Sequence, residues 1–454
     1  MKVYNTLTRT NDELIPINDK NINLFVCGPT VYDFSHIGHA KTYTQFDVIV
    51  KYLRWTGYNV FYLQNITDID DKIINRANEL GKDSQELAKQ FEEEYYKDMT
   101  ALKVTSVTKY ARATDFIPEI ISQVNRLIEK GAYETSDGIY YDLSKFSDYG
   151  KLSNQNIEEL NQHRVDPNPE KKNSGDFVLW KKAKPGEPTW ESPWGLGRPG
   201  WHIEDTAITE KFFGSNYDVH GGGTELIFPH HEAEIAQMEL ISGKPPLVKY
   251  WLHTGWLKVK GEKMSKSLGN FLTIRDALKS YKPEVLRYFF MSVNYRSPLD
   301  YSPESLEHAR NGLQRVQDFI QKLQEITKQD GETAKDLLND VKQDFIDAMD
   351  DDFEISKALA SIFELVKEGN KLLSDLSKKG AEEILDLLKD LNQVLDVFNF
   401  ETEDLDSNIQ KLFDEREKAR SEKAFALADK IRDELKSKGI ILEDTPEGVR
   451  WKKV

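Results

Sequence analysis

Residues 22–27, Ile-Asn-Leu-Phe-Val-Cys, form an apolar run of strand length that stops at the turn residues Gly28-Pro29-Thr30. A helical pattern opens at His36-Ile37-Gly38-His39-Ala40 and carries Phe46, Ile49, Val50 and Leu53 on one face. A second strand-like run, 59–64, ends at Asn65-Ile66-Thr67-Asp68, and another helix follows. Strand, turn, helix, strand, turn, helix is the beginning of a doubly wound α/β domain, and no other feature of the chain restricts its fold as tightly. It also directs attention to a place. In such sheets ligands sit beyond the carboxyl ends of the strands, where both turns lie.

The α/β pattern is then interrupted. Residues 117–130 read as an amphipathic helix ended by Gly131, and Ser136-Asp137-Gly138 as a hairpin-type turn. A Pro-, Gly- and Lys-rich stretch over 165–200 carries Trp180, Trp190 and Trp194. The pattern resumes at Trp201, with a strand at 217–220 and a helix from Phe228 onward. After Leu268 the chain turns helical, and several periodic segments over 303–395 suggest a bundle. One long helical stretch is expected over 409–438, ended by Gly439, followed by a small hairpin around Thr-Pro-Glu-Gly. We therefore expect a Rossmann-type catalytic domain in two halves, 1–115 and 196–250, split by a connective insertion at 116–195. A lysine-loop region at 251–302, a helical bundle at 303–398 and a small C-terminal α/β region at 399–454 complete the chain.

Composition serves mainly to exclude. A single cysteine, Cys27, in 454 residues rules out a disulfide scaffold and a cysteine-rich zinc ribbon. No apolar run approaches the ~20 residues that span a bilayer. The opening Met1-Lys-Val-Tyr-Asn-Thr-Leu lacks the apolar core of a signal peptide, so a soluble, cytoplasmic protein is expected. The net charge of −16 would argue against a nucleic-acid partner only if it were spread evenly. It is not: residues 301–400 hold 22 Asp/Glu against 12 Lys/Arg, whereas 415–438 hold 8 Lys/Arg against 6 Asp/Glu.

Two motifs far apart carry chemistry. His36-Ile37-Gly38-His39 follows a strand and opens a helix, whose free N–H groups and partial positive charge suit a phosphate. Gly38 lets the backbone approach a nucleotide, and His36 and His39 can donate to charge developing on an α-phosphate. Lys263-Met264-Ser265-Lys266-Ser267 lies in a loop flanked by Gly261 and Gly269, where Lys263 and Lys266 can clamp a departing pyrophosphate. Either motif alone is weak. Together, in this order, in a chain that opens as α/β, they resemble class I aminoacyl-tRNA synthetases.

Further stretches narrow the resemblance to the cysteinyl-tRNA synthetase family: 25–33 (Phe-Val-Cys-Gly-Pro-Thr-Val-Tyr-Asp), 65–72, 197–204 (Gly-Arg-Pro-Gly-Trp-His-Ile-Glu) and 220–234 (His-Gly-Gly-Gly-Thr-Glu-Leu-Ile-Phe-Pro-His-His-Glu-Ala-Glu). It continues through Met349-Asp-Asp-Asp-Phe, 416–435 and Gly448-Val-Arg-Trp. The resemblance implies ATP-dependent activation of L-cysteine, with Mg²⁺ accompanying ATP, and transfer of the cysteinyl group to tRNA(Cys). It implies one zinc ion that takes the substrate thiolate, held at Cys27, His230 and Glu234 and by a second cysteine after Trp-His-Ile-Glu. Here that position is Asp205. Aspartate is an acceptable zinc ligand, bonding at about 2.0–2.2 Å, but a harder one, and we expect zinc to be kept. Without the resemblance, His230 and Glu234 read more readily as a helix surface pair and Cys27 as a buried apolar residue.

By the same resemblance Gly28, Thr67 and Trp201 line the amino-acid pocket, and Glu225 binds the substrate ammonium. Gly221-Gly222-Gly223 permits close backbone approach, most simply to the adenosine. Arg416, Arg420, Lys423 and Arg432 are candidate tRNA phosphate contacts, and Trp451 a base-stacking residue; solvated helix charge and terminal packing explain them equally well. A monomer with no membrane partner is expected. The rival readings are a related ligase joining cysteine to an amino sugar, which needs no long C-terminal region, a catalytically dead paralogue, and a class I synthetase for another amino acid.

Overall fold

The computed structural model describes residues 1–155, 168–264, 271–401, 407–445 and 448–453. The elements that build the site are, in chain order, β1 (Asn21–Val26), α1 (Ile37–Trp55), β2 (Asn59–Ile66), β3 (Lys109–Arg112), α2 (Trp201–Phe213), β4 (Tyr217–Gly223), α3 (Glu232–Ser242) and β5 (Val248–Thr254). The five strands form one parallel sheet in the order β5-β4-β1-β2-β3. The chain winds outward from β1 on one side to β2 and β3, then returns to place β4 and β5 on the other. The winding reverses between β1 and β4, which opens a crevice at their carboxyl ends. Val26 lies opposite Gly221, and the Cys27 N–H donates to the Gly221 carbonyl at 3.1 Å, so Cys27 stands at that reversal.

Ile22, Leu24, Phe25 and Val26 of β1 are all buried, because helices cover both faces of a parallel sheet; this is why the strand reads as a continuous apolar run. The face of α1 marked by Phe46, Ile49, Val50 and Leu53 is buried as its periodicity requires. Between the halves of the sheet, a helix over Ile117–Glu129 packs on a four-stranded antiparallel sheet. Ile120, Val124, Leu127, Tyr141, Leu179 and Trp180 make its core. Its last strand, Gly197–Pro199, leads directly into α2.

Beyond β5, Leu257–Val259 pairs with Glu262–Lys263 and with Leu299–Tyr301. Helices over Pro303–Gln324, Lys335–Asp350, Ile355–Leu372 and Lys378–Leu395 follow. Residues to Phe398 form one compact unit, and Asn399–Val454 a second. The second holds helices Ser407–Ser421 and Phe425–Ser437 and an antiparallel hairpin of Ile440–Thr445 with Gly448–Lys453.

Two expectations change. The single helix over 409–438 is two helices, because Lys423 adopts a left-handed backbone (φ 59°) that turns the chain; Ile431 and Leu435 then pack with Ile409 and Leu412. The helix from Phe228 begins instead at Glu232. Phe228 is extended (φ −131°, ψ 130°), as a residue before proline prefers, and kinks the short turn Ile227–His231 that precedes α3.

Candidate active site and metal centre

Four buried side chains converge at the sheet's reversal point: Cys27 from the end of β1, Asp205 from α2, His230 from the turn after β4, and Glu234 from α3. His230 Nε2 lies 2.9 Å from Asp205 Oδ2 and 2.9 Å from Glu234 Oε1, and Cys27 Sγ lies 3.5 Å from Asp205 Oδ2. These four side chains therefore meet, although each comes from a different element. A second set shares Cys27 and Glu234 and adds His220 and His231. Their Nε2 atoms lie 3.3 and 3.2 Å from Cys27 Sγ, while their Nδ1 atoms face Tyr217 Oη at 2.6 Å and His253 Nε2 at 2.8 Å.

The donors suit a divalent cation. Zinc–ligand bonds of about 2.0–2.3 Å imply donor–donor edges of roughly 3.3–3.6 Å in a tetrahedron; the 3.5 Å Cys27–Asp205 separation falls in that range, and the two 2.9 Å separations at His230 are shorter than it. Glu234 Oε1 is buried, with His230 Nε2 beside it. Burial pushes the Cys27 thiol well above its ordinary pKa, and the neighbouring Asp205 and Glu234 push it further. Burial likewise raises the Glu234 carboxyl. Burial works against a charged His230, but Glu234 and Asp205 outweigh it and raise its pKa to about 10. Without a cation, burial disfavours the Cys27 thiolate and the ionised Glu234; a bound metal ion reverses the balance and favours the thiolate.

Around this centre, Trp201 stacks on His230 with ring centroids 4.3 Å apart and remains partly open to solvent. Gly28 follows Cys27 directly, and a Cβ there would lie 1.7 Å from the Asn65 carbonyl oxygen, so only glycine fits. Thr67 is buried at the end of β2, its hydroxyl donating to Glu204 Oε2 at 3.1 Å. Glu225 sits in the helical turn just past Gly223, against that glycine. A side chain at Gly221 would strike the Phe46 ring, so that glycine is already required by the packing of α1 on β4.

The His36 side chain caps α1, accepting from the His39 N–H at 3.3 Å, and the two imidazoles stack with centroids 3.7 Å apart. Burial holds His39 neutral, with its pKa well below 6.5. A Cβ on Gly38 would meet the His36 ring at 2.9 Å. The lysine loop leaves and returns beside this helix start. Met264 Cε is 3.8 Å from that same Gly38 position, and the Ile37 N–H donates to the Leu272 carbonyl at 3.1 Å. Lys266 lies outside the described residues, as does the side chain of Lys263; the Lys263 backbone pairs with Lys258.

Sequence reasoning missed several members of this site. Lys41, one turn into α1, is buried and donates to Gln45 Oε1, the Gly255 carbonyl and the Tyr295 carbonyl at 2.8–3.1 Å; burial lowers its pKa to about 7. It ties α1 to the residue through which β5 passes toward the lysine loop. His253 and Asn65 were missed as well. Their only signal was position, at or next to a strand's carboxyl end, which does not specify what they touch.

In the C-terminal unit, Lys423 and Arg432 are exposed and Arg420 half-buried. Arg416 is buried within that unit beside Glu417 (2.5 Å), which makes it a packing residue there and removes it from the exposed phosphate candidates. The Trp451 side chain lies outside the described residues.

Three family models match the chain: the tRNA synthetases class I (C) catalytic domain over residues 13–311, the DALR domain over 344–399, and the cysteinyl-tRNA ligase anticodon binding domain over 402–451. A cysteine–tRNA ligase of Thermococcus gammatolerans is 48% identical over 474 aligned residues, covering 100% of this chain and 99% of that one. One of Thermoplasma acidophilum is 50% identical, covering 99% and 100%. Among solved structures, the Mycobacterium tuberculosis methionyl-tRNA synthetase in complex with methionyl-adenylate superposes with a TM-score of 0.60 at 17% identity, over 83% of this chain and 90% of that one. The LeuRS-tRNA-LeuAMS ternary complex of Agrobacterium radiobacter K84 gives 0.61 at 11% identity, over 85% of each. At these identities the structures speak to the fold alone.

Proposed function

The chain belongs to the cysteine–tRNA ligase family of class I aminoacyl-tRNA synthetases, and on that premise we propose that it activates L-cysteine with ATP and transfers the cysteinyl group to the 3′ end of tRNA(Cys). The observation that carries the reading at this site is the buried Cys27, Asp205, His230 and Glu234 cluster at the reversal of the parallel sheet. It favours cysteine over another class I substrate, because four metal donors in an amino-acid pocket suit a thiol.

The division of labour follows. His36 and His39 stabilise charge on the α-phosphate during in-line displacement, while Gly38 and the Gly221–Gly223 segment admit the nucleotide. Lys263 and Lys266 hold the departing pyrophosphate, with Mg²⁺ accompanying ATP. Gly28, Thr67 and Trp201 shape the pocket, and Glu225 pairs with the substrate ammonium. Cys27, Asp205, His230 and Glu234 would hold zinc, which when bound supplies a Lewis acid that prefers a thiolate to a hydroxyl. That preference separates cysteine from serine, which a pocket built on shape alone does poorly. Arg420, Lys423 and Arg432 contact tRNA phosphates, and Trp451 stacks on a base. The enzyme is read as a cytoplasmic monomer; among the described residues no helix is long and apolar enough to cross a membrane.

The deciding experiment charges tRNA(Cys) with cysteine and with serine while zinc is measured on the same sample. We expect about one zinc per chain, charging with cysteine, and serine use lower by at least about a thousandfold. No charging with cysteine would overturn the assignment. A second prediction concerns the loop. Lys266→Ala is expected to slow adenylate formation by about a hundredfold or more, in the range of a lost transition-state charge contact, with cysteine affinity little changed. Unaltered pyrophosphate exchange in that variant would remove Lys266 from the mechanism.

A further inference from the structure

We propose that Asn65 is a positioning residue that makes Asp205 a one-oxygen metal ligand, and that the zinc affinity of this chain depends on Asn65 because an aspartate stands at position 205. The inference rests on reading Cys27, Asp205, His230 and Glu234 as a zinc site.

The geometry around Asn65 is fully determined. Its Oδ1 accepts the Gly28 N–H at 2.5 Å, which fixes the amide orientation. Its Nδ2 must then point the other way, and it donates to Asp205 Oδ1 at 2.6 Å and to Thr67 Oγ1 at 3.3 Å. Asn65 is buried, and each of its three hydrogen bonds goes to a group beside the pocket. The consequence falls on Asp205. With Oδ1 engaged by the amide, only Oδ2 faces His230 Nε2 at 2.9 Å and Cys27 Sγ at 3.5 Å. A free carboxylate can swing or bind through both oxygens, whereas this one is held to a single donor direction. The Asn65 side chain also holds the backbone next to Cys27, so one amide sets the spacing of two metal donors.

A cysteine at position 205 would offer one sulfur and no second acceptor. The dependence on Asn65 should therefore belong to the aspartate version of the site, and a double-mutant cycle isolates it. Zinc affinity is measured by competition with a chromophoric chelator on the full-length chain in four forms: native, Asn65→Ala, Asp205→Cys and the double variant. Cobalt(II) absorption reports ligand geometry, and melting of the metal-free proteins reports folding. In the native background Asn65→Ala is expected to weaken zinc binding about 10–100-fold and to alter the cobalt spectrum. In the Asp205→Cys background the same change is expected to cost at least about tenfold less than in the native one, because loss of the Gly28 contact is common to both arms and cancels when they are compared. Should the alanine variant not fold, Asn65→Leu, which is nearly isosteric and lacks both polar atoms, replaces it in both arms.

Equal losses in the two backgrounds would overturn the proposal and reduce Asn65 to a backbone support for Gly28. No loss in either would overturn it too. A native chain that binds no zinc fails differently, because it removes the metal reading itself.

Discussion

Replacing Cys27 with alanine is expected to abolish zinc retention and to lower cysteine-dependent pyrophosphate exchange by at least about a thousandfold, a loss of about 4 kcal/mol of transition-state stabilisation. The size follows from the arrangement of donors. Cys27 is the chain's only thiol, and both overlapping donor sets use it. Any other single substitution among Asp205, His220, His230 and His231 leaves one set intact. What remains without Cys27 is three nitrogen and oxygen donors in each set, one short of a closed tetrahedral site. Folding should survive, since the change removes one sulfur from a core shared with Phe25, Leu63, Tyr217 and Trp251, at a cost of about 1 kcal/mol. The half of the site at His36 and His39, which we propose faces the phosphates, is untouched, so ATP binding is expected to stay within a few-fold of native. The check is metal content, ATP affinity and exchange rate on one preparation. Zinc retained near one per chain, or exchange within tenfold of native, would show that the thiolate is not a ligand.

The grouping of Cys27, Asp205, His230 and Glu234 was foreseeable only through the family resemblance, because by themselves His230 and Glu234 read as a helix surface pair and Cys27 as a buried apolar residue. The order of β1, α1 and β2 was legible because buried parallel strands and amphipathic helices leave different periods in the sequence. What stayed hidden depends on pairing across the sheet. His253 reaches His231 because Gly222 and His253 are opposite each other in the β4–β5 register, and no local pattern encodes a register between parallel strands. Asn65 reaches Asp205 across 140 residues. The break at Lys423 was missed because Lys and Ala are good helix formers; packing of Ile431 and Leu435 onto Ile409 and Leu412 decides the conformation there. Arg416 read as a surface cation because charge alone does not say which face of a helix is covered.

The largest expected loss of stability comes from Arg287, which no motif marks. It is buried in the helix Pro283–Met291 and donates to Asp47 Oδ2 at 2.9 Å and to the carbonyls of Leu102, Lys103 and Leu395 at 2.9–3.1 Å. Asp47, buried in α1, also accepts the Thr105 and Ser106 N–H groups and pairs with Lys51 at 2.9 Å. One guanidinium thus fastens the helix that carries His36 and His39 to the loop after residue 101 and to the last helix of the bundle. Arg287→Met is expected to destabilise the catalytic unit by about 3–5 kcal/mol, because it takes from the buried Asp47 one of its two cationic partners and leaves the Leu102 and Leu395 carbonyls without their guanidinium donor. Combining it with Asp47→Asn should cost less than Arg287→Met alone, since the amide still accepts a backbone N–H without leaving a buried charge. The pH dependence has a definite sign. Burial alone would raise the Asp47 pKa, but Arg287 and Lys51 overcome it and hold the pKa below 3.8. Its stabilisation is therefore complete above about pH 4 and is lost as pH falls through the lower native value. Urea unfolding of the native and variant chains between pH 3 and 7 tests both statements. A loss below about 1 kcal/mol for Arg287→Met, or additive losses in the double variant, would mean that the pair is not the joint between sheet and bundle.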